Sequence, residues 1–339
     1  MIKKTLAIIG LLVLLGGVGY IFGPKPDAPI LEVPQFKLTS DLSQLEKQIT
    51  DNEHNTTGLK PGSEAKIVWQ DSTKKQKTKI AFLYIHGFSA SQMEGDPVHR
   101  NIAKKYQANL YLARLASHGI DLGDETMKTV TTDEFIVSAE HALAVAKTLG
   151  DEVIVIGTSF GGALTAYLAS KHPEIKAIVL YSPCIKIYDD NAELLDNPWG
   201  FQLGKLVNKS EIRDIPSANA DHAKYWNHHY HLNGLVALQN FLTHTMNKAT
   251  FEQVKCPVFL GYYYKNEKEQ DNVVSVPAML KMFEQLGTSN KQRYAFPNTG
   301  NHVIASPILS KDIITVQKET EKFLESVLNV DDVGFSTSK

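Results

Sequence analysis

The chain has 339 residues, enough for one large domain or two modest ones, and its 43% hydrophobic and 21% charged content excludes a disordered or collagen-like polymer. Thirty-five basic side chains stand against 37 acidic ones, a formal charge of −2, and removing residues 1–23 with Lys3 and Lys4 leaves 33 against 37. No basic field recommends nucleic acid as a partner.

Lys3 and Lys4 precede the uncharged run TLAIIGLLVLLGGVGYIFG, whose 19 residues from Thr5 to Gly23 match the length that crosses the hydrocarbon layer. Residues 1–23 read as an uncleaved signal anchor or as a signal peptide cut near Gly17-Val18-Gly19. The apolar run continues through Tyr20-Ile21-Phe22 past that cut, which favours the anchor. With the lysines on the cytoplasmic side, the rest of the chain is expected outside the cytoplasm, in a bacterial periplasm or at a cell surface. Residues 24–64 are rich in Pro, Gly, Asn, Asp and Lys and read as a linker that leads into the domain and packs on it, with an amphipathic stretch around Leu42, Leu45 and Ile49.

From Lys79 onward, apolar runs alternate with helical patterns. The runs are KIAFLYIHG, NLYLARL, EVIVIG, KAIVLYSP, CPVFLGYYY and QRYAFP. The helical stretches are Pro97 to Tyr106, Thr132 to Leu149, Gly162 to Lys171, Val276 to Leu286 and Ile313 to Leu328. Short, continuously apolar strands separated by helices predict an α/β fold with a mostly parallel sheet covered on both faces. Residues 185–250 break the rhythm, being polar, aromatic and His-rich, and predict a helical cap inserted into a core of residues 65–184 and 251–330, with a tail at 331–339.

The run VIVIGTSFGG places Ser159 between Gly157 and Gly161 where a buried strand stops. In an open parallel sheet ligands bind beyond the carboxyl ends of the strands. A Gly-x-Ser-x-Gly turn from strand to helix is a nucleophile elbow, with small residues allowing the bend that frees the serine oxygen. The helix after the turn aims free N–H groups at the same place. The bland alternative is a glycine-rich turn with an incidental serine, and the strand-to-helix context weighs against it.

Serine needs a base, and the base an orienting acid. His302, in NTGNHVIASP after QRYAFP, and Asp271, in KNEKEQDNVVSV after PVFLGYYY, both follow strand ends and so share the rim with Ser159. Glu267 and Glu269 occupy the same loop as Asp271. Asp271 is favoured because DNVVSV sets it immediately before an apolar helix start. The order serine, acid, histidine is that of one class of hydrolases. An oxyanion needs fixed donors, and the backbone N–H groups of Phe160 in the elbow and Phe88 in YIHGFSAS are placed to supply them. His86 then reads as a structural residue of that loop.

These motifs, in this order across residues 79–328, resemble the α/β-hydrolase fold, and within it the carboxylesterase and monoacylglycerol lipase branch, with a cap after the sixth strand. ARLASHGID at 113–121 is similar to the loop after the fourth strand in that branch. The resemblance implies a Ser159 nucleophile, a His302 base, an Asp271 partner and Phe88 and Phe160 as oxyanion donors. It implies hydrolysis of a small-molecule or lipid ester, acylglycerols included, and the same triad could serve amides, thioesters or acyl transfer. A non-catalytic binding protein on this fold is the rival from another class. No metal or organic cofactor is required.

In the cap, ADHAKYWNHHYHLNG holds His222, His228, His229 and His231 beside Asp221, a grouping that could bind zinc or copper. The interleaved Tyr225, Trp226 and Tyr230 favour an aromatic substrate pocket instead. Cys184 follows one strand and Cys256 precedes a parallel one, so they are expected about 20 Å apart at opposite sheet ends and unpaired.

Overall fold

Alternation along Thr78–Ile85 shows how the core is made. In the computed structural model, which describes residues 2–32 and 35–328, Ala81, Leu83 and Ile85 enter one hydrophobic cluster and Ile80, Phe82 and Tyr84 the other. Successive side chains of a strand point to opposite faces, so a strand with both faces covered is apolar throughout. Each fully buried Leu, Ile or Phe contributes about 1.5–3 kcal/mol relative to exposure.

Seven strands build this sheet: β1 (Lys66–Val68), β2 (Thr78–Ile85), β3 (Asn109–Leu112), β4 (Gly150–Thr158), β5 (Ala177–Tyr181), β6 (Val258–Tyr262) and β7 (Lys291–Ala295). Their spatial order is β1-β3-β2-β4-β5-β6-β7; β1 is antiparallel to β3 and the other neighbours are parallel. The helices are α1 (Ile2–Ile21), α2 (Leu42–His54), α3 (Val98–Lys105), α4 (Thr132–Leu149), α5 (Phe160–Lys171), α6 (Gly200–Asn208), α7 (Ala220–Tyr225), α8 (Asn233–Thr245), α9 (Lys248–Gln253), α10 (Val276–Gln285) and α11 (Ile313–Val327). α3 and α11 cover one face through Val98, Ile102, Val316, Phe323 and Leu324, while α4, α5 and α10 cover the other. A capping box between Thr131 and Glu134 starts α4, and Ser275 caps α10.

All six apolar runs are strands of the sheet, and the five helical stretches are α3, α4, α5, α10 and α11. The three-residue β1 is too short to show in the pattern. The cap leaves the sheet after β5, the fifth strand in this sheet, where the resemblance gave the sixth. It comprises a 3₁₀ turn over Asp190–Asp196, α6, α7, α8 and a two-stranded ribbon of Ile212–Asp214 with His229–His231.

Residues 24–64 pack on the domain. Leu45 and Ile49 of α2 are buried, Glu53 pairs through both carboxylate oxygens with Arg114 at 2.6 and 2.9 Å, and Tyr167 donates to Leu31 O. α1 ends beside the cap, where the Trp199 indole donates to Gly19 O at 3.0 Å. Among the described residues no helix is long and apolar enough to cross a membrane. Met1, the side chains of residues 2–3, 7–9 and 11–13 in the expected anchor, and all of 331–339 lie outside the described residues. Cys184 and Cys256 are free and buried.

Candidate active site

The six parallel strands end at one rim, and segments that leave those strand ends assemble the site. β4 runs into Ser159, whose φ of 53° and ψ of −118° lie in a region that non-glycine residues rarely occupy. Close packing forces that bend. A Cβ on Gly161 would come within 2.1 Å of Ile85 O, and one on Gly157 within 2.3 Å of Thr165 Oγ1. Only glycine lets α5 approach β2 and β4 this nearly. The Ser159 N–H donates to Tyr181 O at 2.9 Å, and its carbonyl accepts from Cys184 at 2.8 Å, so neighbouring segments fix the turn from both sides.

Asp271 and His302 meet as the sequence predicts. His302 Nδ1 donates to Asp271 Oδ2 at 2.6 Å, which leaves Nε2 as the basic nitrogen. The other oxygen, Asp271 Oδ1, accepts from the N–H groups of Val273 at 2.9 Å and Val274 at 3.0 Å, so the carboxylate cannot turn away. Burial pulls the His302 imidazole down, but the charge and hydrogen bond of Asp271, with a contribution from Glu94, carry it above the ordinary histidine value. The alternative acids are occupied elsewhere. Glu267 accepts from Tyr264 and Glu269 from Lys265 and Asn266 on an exposed hairpin.

Beside this pair the loop after β2 turns at Gly87 and Phe88. Among the described residues no acceptor takes the backbone N–H of Phe88 or of Phe160. His86 is structural: Leu115 N–H donates to its Nε2 at 3.1 Å and its Nδ1 donates to Gly87 O at 2.9 Å. Burial pulls it down to about 4, so it stays neutral and holds the loop. The Phe88 ring packs edge-on against His118, Phe160 and Tyr230.

The cap roofs the site, leaving Ser159 7% and His302 8% exposed. Of its aromatics, Tyr230 lies 5.5 Å from Phe88, Trp226 packs with Ala90 and Val303, and Tyr225 faces Gly62 of the lead-in segment. A cleft of about 570 Å³ between cap and α10 is lined by Lys186, Gln239, Met246, Phe251 and Lys281, and none of the triad residues borders it. The cap histidines serve internal contacts: His222 and His228 meet at 4.5 Å, and His229 bridges Asp214 and Asp124 at 2.7 Å each. Among the described residues no group of three or more His, Cys, Asp or Glu side chains is placed to hold a metal.

One residue of this site has no sequence signal. Glu94, in a 3₁₀ turn after the Phe88 loop, is 2% exposed and accepts the Gly87 N–H at 2.5 Å. A carboxylate seven residues past a Gly turn reads as surface until the turn folds it inward.

Residues 80–305 match the protein family described as alpha/beta hydrolase fold. A thermostable monoacylglycerol lipase from Bacillus sp. (strain H-257) is 32% identical over 108 residues, which cover 32% of this chain and 42% of that protein. The chain thus spans under half the length of this relative. Among solved structures, one reported for the metagenome-derived lipolytic enzymes LipS and LipT superposes with a TM-score of 0.63 at 19% identity, covering 79% of this chain and 99% of that one. A soluble variant of monoglyceride lipase from Saccharomyces cerevisiae gives 0.60 at 14% identity, covering 91% and 99%.

Proposed function

The chain belongs to the α/β-hydrolase fold family, and from that premise we propose that it is a serine hydrolase of carboxylic esters, with acylglycerols or similar lipidic esters as substrates. The observation that carries the reading is a buried His302–Asp271 pair on the same rim as a serine held in a strained elbow. His302 Nε2 takes the Ser159 proton as the oxygen attacks the ester carbonyl. Asp271 keeps the proton on Nδ1 and steadies the imidazolium that forms. The N–H groups of Phe88 and Phe160 receive the oxyanion. The imidazolium then protonates the leaving alcohol, and His302 activates water against the acyl-enzyme. The acylglycerol assignment takes its support from the name of the Bacillus relative.

Export or anchoring through residues 1–23, with the catalytic domain outside the cytoplasm, belongs to the same proposal. Its support is the uncharged run behind Lys3 and Lys4, together with the exposed Leu14, Leu15, Ile21 and Phe22. Fractionation of the tagged chain tests it: recovery of the full-length protein in the cytosol overturns the location.

Activity is tested with the full chain in mild detergent, on p-nitrophenyl esters of increasing acyl length and on monoacylglycerols. The expected result is turnover with a peak in the length profile, and a fall of several orders of magnitude for Ser159→Ala. Equal inertness of both folded proteins sinks the esterase reading in favour of a binding role.

A further inference from the structure

Glu94 is an expensive residue to bury, and its surroundings say what it does. Its Oε2 accepts the Gly87 N–H, the peptide next to the Phe88 donor. A Cβ on Gly87 would lie 2.8 Å from Glu94 Oε1 and 2.9 Å from Ser159 Cβ. The missing side chain at residue 87 therefore leaves a gap that the Glu94 carboxyl and the nucleophile share. Glu94 and His302 also influence each other through their charges. Tyr84 from β2 is buried nearby, its hydroxyl 3.0 Å from Thr158 Oγ1.

We propose that Glu94 is a positioning residue of this site, holding the Gly87–Phe88 turn in its oxyanion-binding shape. The proposal rests on the reading of Ser159 as nucleophile and His302 as base. The hydrogen bond to Gly87 N fixes the peptide plane before Phe88, so the Phe88 N–H is aimed without reorganisation when the oxyanion forms. The charge acts separately, favouring the imidazolium.

The groups around the pair are few. Tyr84 and His302 are the titratable groups that influence Glu94, and Asp271 is bonded to His302. Cys184, near Asp271, is buried as a thiol. On the turn and helix that carry Glu94, His99 bonds Gln92 O at 2.9 Å and Arg100 pairs with Asp96 at 2.6 Å. Burial pushes the Glu94 carboxyl up, and the Gly87 bond and the His302 charge pull it partly back, to about 7.

The test uses the full chain in detergent as wild type, Glu94→Gln and Glu94→Ala. The readouts are kcat and KM for p-nitrophenyl butyrate between pH 5 and 9, and the His302 titration followed by ¹⁵N NMR. Glutamine keeps an oxygen for Gly87 N and loses the charge. Because the Glu94 charge raises His302, its removal is expected to move the acid limb of kcat/KM and the NMR midpoint to lower pH, by about half a unit or more. Alanine removes the anchor as well, and kcat is expected to fall about tenfold or more with KM nearly unchanged. Should Glu94→Ala not fold, Glu94→Leu, of similar volume but with no acceptor for Gly87 N, takes its place in the same measurement. A wild-type kcat in the variant that lacks this acceptor overturns the proposal. A wild type that neither hydrolyses esters nor reacts with a fluorophosphonate overturns the hydrolase reading instead.

Discussion

The rim of the sheet and the cap over it use histidine in opposite ways. At the rim His302 gives one nitrogen to a fixed carboxylate and keeps the other open, in a site 8% exposed. In the cap His229 has both nitrogens on aspartates, and His228 lies between Ile215 O and His222 O. Chemistry needs a ring with one unsatisfied nitrogen, held still. A cap needs its polar groups satisfied so that it can close over an apolar interior. Density of histidine is therefore a poor guide to function, and one histidine with one acid outweighs the cluster of four.

Substitutions at the rim and in the cap should separate by rate. Asp271→Asn leaves the geometry in place but removes the charge and disturbs the Nδ1 proton. kcat is expected to fall about a thousandfold or more, read by steady-state kinetics beside an unchanged circular-dichroism spectrum. Gly87→Ala drives a methyl group between the Glu94 carboxyl and Ser159, and a displacement of that size should cost about a hundredfold in kcat. Equal activity of Gly87→Ala and wild type would break the comparison, because the rim would then tolerate what a cap loop tolerates. Tyr230→Leu acts on the cap side of Phe88. It should shift the preferred acyl length, change kcat on short esters by about threefold or less, and cost about 1 kcal/mol of stability from the lost ring pair, read by denaturant titration.

His229→Gln should do least. The hydrogen bonds to Asp214 and Asp124 hold this exposed imidazole above its ordinary value. Its contribution is then fully present below the unfolded histidine value and disappears as the pH rises through the raised folded one. A melting-temperature loss of about 2 °C or less at pH 5, and none at pH 9, is the expectation. A larger loss would make the cap ribbon a stabilising element in its own right.

The legible parts share a cause. Runs such as EVIVIG announce buried strands because β4 has both faces covered, and the glycines of GTSFGG announce the elbow because Ile85 O and Thr165 approach them. Asp271 and His302 are readable as rim residues from their places just after strands. The parts that escape are set by contacts between distant residues. The pairing of α2 with the loop after β3 depends on Glu53 and Arg114, 61 residues apart. Tyr225 turns to the lead-in segment, although its spacing matches that of Trp226 and Tyr230.

Local chemistry and period thus determined the strands, the elbow and the candidate triad by themselves, because side-chain alternation and the steric demand of a sharp bend are written in a few consecutive residues. Tertiary structure alone decided that the Val273 and Val274 N–H groups fix the second oxygen of Asp271. It also decided that aspartates and backbone groups satisfy the cap histidines and that Glu94 folds inward beneath Gly87. Each of these is a choice between partners of equal local merit, and burial with a specific partner makes that choice.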